Sequence, residues 1–465
     1  MNVFDTIAAI ATPYGKGGVA MIRISGADAL AVAERIFKCA SGKLLSEMPV
    51  CRACYGEIVM PNEADKSVDD GIAVYFKAPN SFTGEDTVEI SCHGGVLITQ
   101  KVLTCALLAG ARMAEAGEFT RRAYIYGKIK LNEAESLGHL LEARNEVQLS
   151  LARNGMRGKL SARMEELYGA LRSVLTGIYA NIDFPDEDLA DMSREEMLEA
   201  LKGALEGARA LARTYTTGNA VAEGIPTVIC GRTNAGKSSV YNRIVGYDAA
   251  IVTDIEGTTR DVLRETATLG KITLLLCDTA GIRNTDDKVE SIGIERSLRE
   301  IENASLALAV FDGSRMPDDE DVELARRITD REIASVGLIN KSDISVDSCV
   351  DEFKALAKGF DRCIEISASD GKGFDDLTRA LDDMFIDGTL DIENDAIITG
   401  ARQYAAICNA IEHLSIATSD LERGVSLDAC CVEVECAMSA LGEVDGREIG
   451  EDIVAQIFAH FCVGK

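Results

Sequence analysis

The sequence predicts a mixed α/β and α protein in which a doubly wound domain is inserted into a helical one. Three observations predict this. Apolar runs alternate with helical stretches from about 223 to 385, in doubly wound style. Helical periodicity fills about 132–222 and returns from about 400 to the end. The first 125 or so residues read instead as short strands mixed with helices, an α+β pattern. The expected domains are 1–125 (α+β), 126–222 (helical bundle, first part), 223–385 (inserted P-loop domain) and 386–465 (helical, second part). Domain termini commonly lie close together, so one interrupted helical domain is the simplest arrangement.

Composition narrows the function classes. A chain of 465 residues suits about three domains with real cores. No run approaches the ~20 apolar residues of a membrane span. The start, Met1-Asn-Val-Phe-Asp-Thr6, has no basic region followed by an apolar core, so a cytoplasmic location is expected. The net charge is −28. A nucleic-acid binder normally shows a basic footprint, so any RNA contact must be local or made by a partner. The 14 cysteines are scattered, many in apolar runs, and read as small buried hydrophobes. Cys51-Arg-Ala-Cys54 is the one CxxC, and no second pair sits at finger-like spacing.

In the first domain, Val19–Ile24, Gly71–Phe76 and Thr87–Ser91 are strand-like, and Val96–Leu108 reads as a helix. Pro79-Asn-Ser-Phe-Thr-Gly-Glu85 packs a turn, an aromatic ring and a carboxylate together. Cys92-His-Gly-Gly95 places two glycines at a strand-to-helix junction. Gly117-Glu-Phe-Thr-Arg-Arg-Ala-Tyr124 with Gly127-Lys-Ile-Lys130 is the densest basic and aromatic stretch. In the helical part, Leu160, Met164, Leu167, Leu171, Val174, Leu175 and Ile178 mark one helix face. Asp183-Phe-Pro-Asp186 breaks that helix, and Ser193-Arg-Glu-Glu196 is a capping box for the next. Met197, Leu201, Leu205, Ala208 and Leu211 follow on one face, and Ala405, Ile411 and Leu414 mark the return of helix.

Chemistry concentrates in the inserted domain. The run Thr227-Val-Ile-Cys230 opens into Gly231-Arg-Thr-Asn-Ala-Gly-Lys-Ser238, a G-x-x-x-x-G-K-S phosphate loop. Its backbone N–H groups and the following helix N-terminus favour phosphate. A nucleotide is expected against Asn234, Ala235, Gly236, Lys237, Ser238 and Ser239. Lys237 can reach the β/γ oxygens, and Ser238 can offer its hydroxyl to Mg²⁺. Asp278, Thr279, Ala280 and Gly281 follow the run Ile272–Cys277, where Asp278 suits Mg²⁺ through water and Gly281 can donate to a γ-phosphate. Asn340, Lys341 and Asp343 end the run Val336–Ile339. Asp343 can accept from the guanine N1–H and exocyclic amine, a pair adenine lacks. Ser367, Ala368 and Ser369 follow Cys363–Ile366 and could present an N–H to guanine O6. In this order, each at a strand end, these motifs select GTP and a Ras-like domain.

One part of a Ras-like enzyme is replaced. The position after Gly281, where a glutamine orients the attacking water in such enzymes, is Ile282. Another group must hold water and supply transition-state charge. The amide oxygen of Asn234 could ligate a K⁺ beside the phosphates. The loop Thr253, Asp254, Ile255, Glu256, Gly257, Thr258 and Thr259 could wrap the ion with carbonyls and reach Mg²⁺ through a threonine.

These residues carry a resemblance that spans the whole chain. The phosphate loop, Thr253-Asp-Ile-Glu-Gly-Thr-Thr-Arg-Asp261, Asp278-Thr-Ala-Gly-Ile-Arg283, His93-Gly-Gly95, Gly117-Glu-Phe-Thr120 and the tail Phe461-Cys-Val-Gly-Lys465 resemble the bacterial tRNA-modification GTPases called MnmE or TrmE. The resemblance implies a tetrahydrofolate-binding N-terminal domain that dimerises and a potassium-stimulated GTPase. It implies a flavin-dependent partner, MnmG or GidA, with which the family modifies C5 of the wobble uridine (U34) of certain tRNAs. The products would be aminomethyl or carboxymethylaminomethyl uridine. The one-carbon donor would be 5,10-methylenetetrahydrofolate, with 5-formyltetrahydrofolate as an analogue. By position, Asn234, Thr253, Ile255 and Thr258 match the family's K⁺ ligands, and Ser238 and Thr259 its Mg²⁺ ligands. Glu290 matches the residue that orients water indirectly. Arg23, Glu85, Lys128 and Lys465 match the folate contacts, and Cys462 the tail cysteine of the modification chemistry. The rival class is a GTPase switch for ribosome assembly or stress, without modification chemistry of its own.

Overall fold

The computed structural model describes residues 5–61, 63–183, 192–247, 265–276, 304–459, 461, 463 and 464. The chain divides into two compact units, residues 1–138 with 438–465, and residues 139–437. Among the described residues no helix is long and apolar enough to cross a membrane.

The first unit is built on a seven-stranded sheet of order β3-β4-β5-β6-β2-β1-β7. Its strands are β1 (Ile7–Ile10), β2 (Val19–Ser25), β3 (Phe37–Cys39), β4 (Ala53–Met60), β5 (Glu63–Phe76), β6 (Thr87–His93) and β7 (Arg112–Met113). Neighbours run antiparallel except β1 with β7. Period-2 alternation assigns the faces of β2. Ala20, Ile22 and Ile24 point into a core with helices α1 (Ala29–Ile36) and α2 (Val96–Leu108). Arg23 therefore faces the other way, where Ile7, Ala9, Ala114 and Phe119 form a second cluster. Helix α2 has the limits the sequence predicts, and the two glycines of Cys92–Gly95 lead into it from β6.

Two helices follow the sheet, α3 (Glu118–Ile125) and α4 (Leu131–Glu142). Leu131 and Ala134 pack with Val454 and Phe458 of the last helix, Glu451–Ala459. The tail then returns to the sheet. Val463 bridges Ala116, and Gly464 lies so close to β1 that a Cβ there would sit 2.1 Å from Ile10 O. Gly117, at φ +65°, faces Phe458 O at 2.4 Å by the same measure. Only glycine fits either crossing.

The second unit contains α5 (Glu146–Met156), α6 (Lys159–Asp183) and α7 (Arg194–Ala222). The α6 stripe is buried as the spacing predicts, with Leu175 half-buried. The capping box of α7 forms: Glu196 N donates to Ser193 Oγ at 3.2 Å, and Ser193 N to Glu196 Oε2 at 2.7 Å. A six-stranded sheet of order β13-β12-β11-β8-β10-β9 follows. Its members are β8 (Ile225–Gly231), β9 (Glu265–Leu269), β10 (Ile272–Leu276), β11 (Leu306–Asp312), β12 (Ala334–Asn340) and β13 (Arg362–Glu365), all parallel except β9. Helices α8 (Lys237–Tyr247), α9 (Asp319–Thr329), α10 (Asp347–Leu356) and α11 (Phe374–Phe385) connect or follow these strands. Apolar clusters cover both faces, as a parallel sheet requires. Helices α12 (Ala401–Glu422) and α13 (Leu427–Asp445) come next, and α13 runs on past the unit boundary.

On α12 the buried side carries Ala406, Ile407, Ala410, Leu414, Ala417 and Leu421. Ala405 is exposed, which corrects its placement on the apolar stripe. Its neighbours Ala406 and Ile407 face the core instead.

One helix receives both ends of the sheet domain. The chain leaves α7 through Gly224 (φ +82°) into β8. The returning segment is pinned back on α7. Thr217 Oγ1 donates to Phe385 O at 3.1 Å and accepts from Asp387 N at 2.9 Å. Thr214 Oγ1 accepts from Ile398 N at 3.0 Å, and Asn219 Nδ2 donates to Thr399 O at 3.1 Å. A Cβ on Gly218 would lie 2.1 Å from Ile398 O. Overpacking of this kind costs about 1–3 kcal/mol. Gly218→Ala should therefore lower the unfolding free energy from urea denaturation by that amount, and an unchanged midpoint would contradict this packing.

Candidate functional site

The parallel register decides where the site lies. It pairs Val310 with Gly231 and Asp312 with Asn340, so β8, β11 and β12 end along one edge. Ligands of open α/β sheets bind at carboxyl edges. The G-x-x-x-x-G-K-S loop leaves β8 at that edge and enters α8 at Lys237. Gly231 takes φ +149°, and a Cβ on it would sit 2.3 Å from Val310 O. Asn234 is exposed at φ +66°, a left-handed conformation that asparagine tolerates better than most residues. Lys237 Nζ donates to Gly231 O at 2.8 Å and Arg232 O at 2.9 Å. Burial pushes its ammonium below the usual lysine range. A cation folded over its own loop can exchange carbonyl partners for phosphate oxygens. Ser238 and Ser239 follow in the first turn of α8, and Ala235 is buried beneath the loop.

Three loops meet on one amide. Asn340 Nδ2 donates to Ala235 O at 2.9 Å, while Asn340 Oδ1 accepts from Ala368 N at 3.1 Å. Gly236 leaves room for this: a Cβ there would lie 2.2 Å from Asn340 Nδ2. Ser367 Oγ donates to Asp343 Oδ1 at 2.9 Å and shares a 2.9 Å bond with Ser369 Oγ. These contacts fix the exposed Asp343 carboxylate, an acceptor pair of the kind a guanine edge requires. Lys341, at φ +65°, sends its ammonium to Asp312 Oδ2 at 2.7 Å. Burial pushes the Asp312 carboxyl up, but Lys341 and Ser314 outweigh it and hold it below the usual range. Asp312 escaped the sequence reading. The available signal was an acid at the end of an apolar strand, the same signal that marked Asp278.

The N-terminal candidates fall into two kinds of environment. Arg23 Nε donates to Glu89 Oε1 at 2.9 Å, and its guanidinium lies 5.2 Å from the Phe82 ring and 5.6 Å from Phe119. Its Nη1 donates to Gly464 O at 3.4 Å, which brings the tail backbone to this side chain. Lys128 Nζ donates to Pro79 O at 2.9 Å, joining two stretches singled out above. Glu85 is 7% exposed and already engaged. It accepts from Ser25 Oγ at 2.8 Å and from Arg122 Nη1 at 3.1 and 3.2 Å.

Arg122 was also missed. Only 2% exposed, it bonds Glu85, Glu118 Oε1 (3.0 Å), Asp5 Oδ1 (2.8 Å) and Asp5 O (2.7 Å). Arg112 pairs with the same Asp5 and Glu118. The sequence shows Arg122 as one cation in a basic stretch; its partners lie 4, 37 and 117 positions away. Thr253, Asp254, Ile255, Glu256, Gly257, Thr258, Thr259, Asp278, Thr279, Ala280, Gly281, Glu290, Cys462 and Lys465 lie outside the described residues.

The CxxC cysteines differ in setting. Cys51 is exposed at φ +60°, and Cys54 is buried. Both Cys54 and its neighbour Cys39 are free thiols, and the Cys39 thiol is pushed up to about 12 by burial and then by the adjacent Cys54.

The buried charges predict a pH response. Hydrogen bonding to Arg112 first, against the opposing effect of burial, lowers the Asp5 carboxyl. Burial pushes Glu118 up, but Arg112, the Glu115 N–H and Arg122 together bring it below the usual range. Both groups therefore titrate lower folded than unfolded. Their stabilisation is present above pH ~4 and is lost as pH falls through the folded values. Arg122→Met leaves these carboxylates and Glu85 short of a cation, at a cost of roughly 3–5 kcal/mol. Acid unfolding of the variant should begin at higher pH than in wild type. An unchanged acid transition would contradict the network's role.

Comparison with known proteins places the chain. Residues 6–128 match the family described as GTP-binding protein TrmE N-terminus, and residues 131–462 match the MnmE helical domain. The tRNA modification GTPase MnmE of Clostridioides difficile (strain 630) is 37% identical over 466 residues, covering 100% of both chains. Those of Ligilactobacillus salivarius and Bacillus licheniformis are each 37% identical, over 99% of this chain and 98% and 100% of theirs. Full-length identity at that level, on a chain whose phosphate and base loops meet at one sheet edge, makes this protein a member of the MnmE (TrmE) family of tRNA modification GTPases.

Proposed function

We propose that the protein hydrolyses GTP to GDP and phosphate in the service of tRNA wobble-uridine modification. The observation that carries the nucleotide half is the Asn340 amide, which links the phosphate loop to the loop beside Asp343. A base read by Asp343 is thereby held in fixed relation to phosphates held by Lys237. The N-terminal half of the proposal rests on Arg23, whose guanidinium lies over Phe82 and Phe119 and donates to the tail backbone, with Lys128 bonded to the 79–85 turn that carries Glu85. A pterin ring with a glutamate tail suits such an aromatic and cationic setting.

Each part of the chain has a stated task in this reading. Lys237 and the loop N–H groups bind the β/γ-phosphates, and Asp343, Ser367, Ala368 and Ser369 orient guanine. Ser238 and Thr259 would hold Mg²⁺. Asn234, Thr253, Ile255 and Thr258 would hold K⁺. The left-handed Asn234 at the exposed lip of the loop fits a ligand to an ion beside the phosphates. The two ions supply positive charge where the transition state gains negative charge. Glu290 orients the water through another group, since Ile282 cannot. Tetrahydrofolate supplies a one-carbon unit, and Arg23, Glu85, Lys128 and Lys465 bind and orient it. Cys462 belongs to the tRNA chemistry, carried out at C5 of U34 with a flavin-dependent MnmG/GidA-type partner. The chain acts as a cytoplasmic homodimer with domains at 1–125, 126–222, 223–385 and 386–465.

Nucleoside mass spectrometry of tRNA from deletion cells tests this. Wild type should restore the C5-substituted wobble uridines, and Asp278→Ala should not. Restoration by Asp278→Ala, or unchanged nucleosides in the deletion, would reject it. For the cation, GTP turnover should be about tenfold or more faster in KCl than in NaCl, by the scale of one lost transition-state contact. Asn234→Ala should erase the difference. Equal rates in the two salts would remove K⁺ from the account.

A further inference from the structure

His-Gly-Gly95 is a motif that the nucleotide and Arg23–Glu85 sites leave unused. His93 ends β6, and two carboxylates approach it from β5. Asp69 Oδ1 pairs with His93 Nδ1 at 2.8 Å, and Asp69 Oδ2 accepts from His93 N at 2.8 Å. Donor atoms of Asp69, Asp70 and His93 all lie within 4.8 Å of one another.

That convergence needs explaining, because consecutive strand residues normally point to opposite faces. The register of β4 and β5 supplies the reason. Ile58 pairs with Asp69, but the next residue, Val59, pairs with Ser67, so Val68 is extra. A bulge increases local twist and re-aims the side chains beside it. Two acids adjacent in sequence thus reach one imidazole. The seat is also rigid. Tyr55 OH donates to Asp70 Oδ2 at 2.7 Å and fixes that carboxylate. Gly17 N donates to Gly94 O at 2.8 Å, and a Cβ on Gly94 would lie 2.5 Å from Gly17 O.

We propose that Asp69, Asp70 and His93 form a site for a divalent first-row transition cation. The cation takes the place of the proton shared by Nδ1 and Oδ1, so binding releases a proton when His93 starts protonated. One imidazole and two carboxylates suit Zn²⁺, Co²⁺ or Mn²⁺, whereas Mg²⁺ and Ca²⁺ favour oxygen alone. The His93 side chain is 63% exposed, which leaves the ion a path in and positions for water ligands. The bound ion clamps the β4–β5 hairpin to β6 at the start of α2. This role is separate from GTP turnover and does not depend on the proposed function.

Co²⁺ titration of the full-length, nucleotide-free protein tests the site, because its spectrum distinguishes ligand types. One saturable Co²⁺ with weak visible bands of nitrogen and oxygen ligation is expected. His93→Ala and, separately, Asp70→Asn should weaken it about tenfold or more. Circular dichroism and GTP turnover, unchanged in both variants, establish that the fold is intact. Absence of saturable binding, equal binding by the variants, or an intense thiolate-to-cobalt band in place of the weak ones would overturn the proposal.

Discussion

The nucleotide end of the structure depends on one buried side-chain amide. Asn340 sits at the end of β12, 3% exposed, and spends its donor on the phosphate loop and its acceptor on the loop after β13. Inside a protein an unpaired amide costs more than a paired one gains. The three loops therefore hold position together. Two backbone facts make it possible: parallel register delivers Gly231, Asp312 and Asn340 to one edge, and Gly236 has no side chain where the amide must pass. Asp312 completes the set by holding the Lys341 ammonium at 2.7 Å.

The N-terminal unit uses a different device, a buried charge network. Arg122 compensates three carboxylates from a turn, a helix and the start of the chain. The value of such a network lies in fixing geometry, since paired buried charges add little net stability but cost much when broken. It fixes Glu85 beneath the 79–85 turn. The tail is brought to the same unit by close backbone packing: Gly117 and Gly464 allow contacts that any side chain would block. Through Gly464 O, Arg23 then touches the chain end directly.

Features with a local cause were legible in the sequence. The phosphate loop, the α2 limits, the α6 stripe and the Ser193 capping box each depend on residues a few positions apart. Long-range features were not legible. Nothing near Arg122 announces Glu85 or Asp5, and nothing near Gly218 announces the segment that returns through Ile398. The bulge at Val68 is a mismatch between two strands and cannot be seen in either alone. Ala405 shows the limit of periodicity: in a run of small residues, one position of phase separates a solvent face from a core face.

The central claim is that the loops joined by Asn340 form a reader of guanine, with Asp343 as its acceptor. Equilibrium binding of fluorescent GDP and XDP to wild type and Asp343→Asn tests it most directly. Xanthine carries a carbonyl where guanine carries its amine, so an amide at 343 matches it and a carboxylate does not. The account predicts that wild type favours GDP by on the order of 100-fold or more, and that the variant reverses the preference. Unchanged GDP preference in Asp343→Asn, or ADP binding as tight as GDP in wild type, would contradict it.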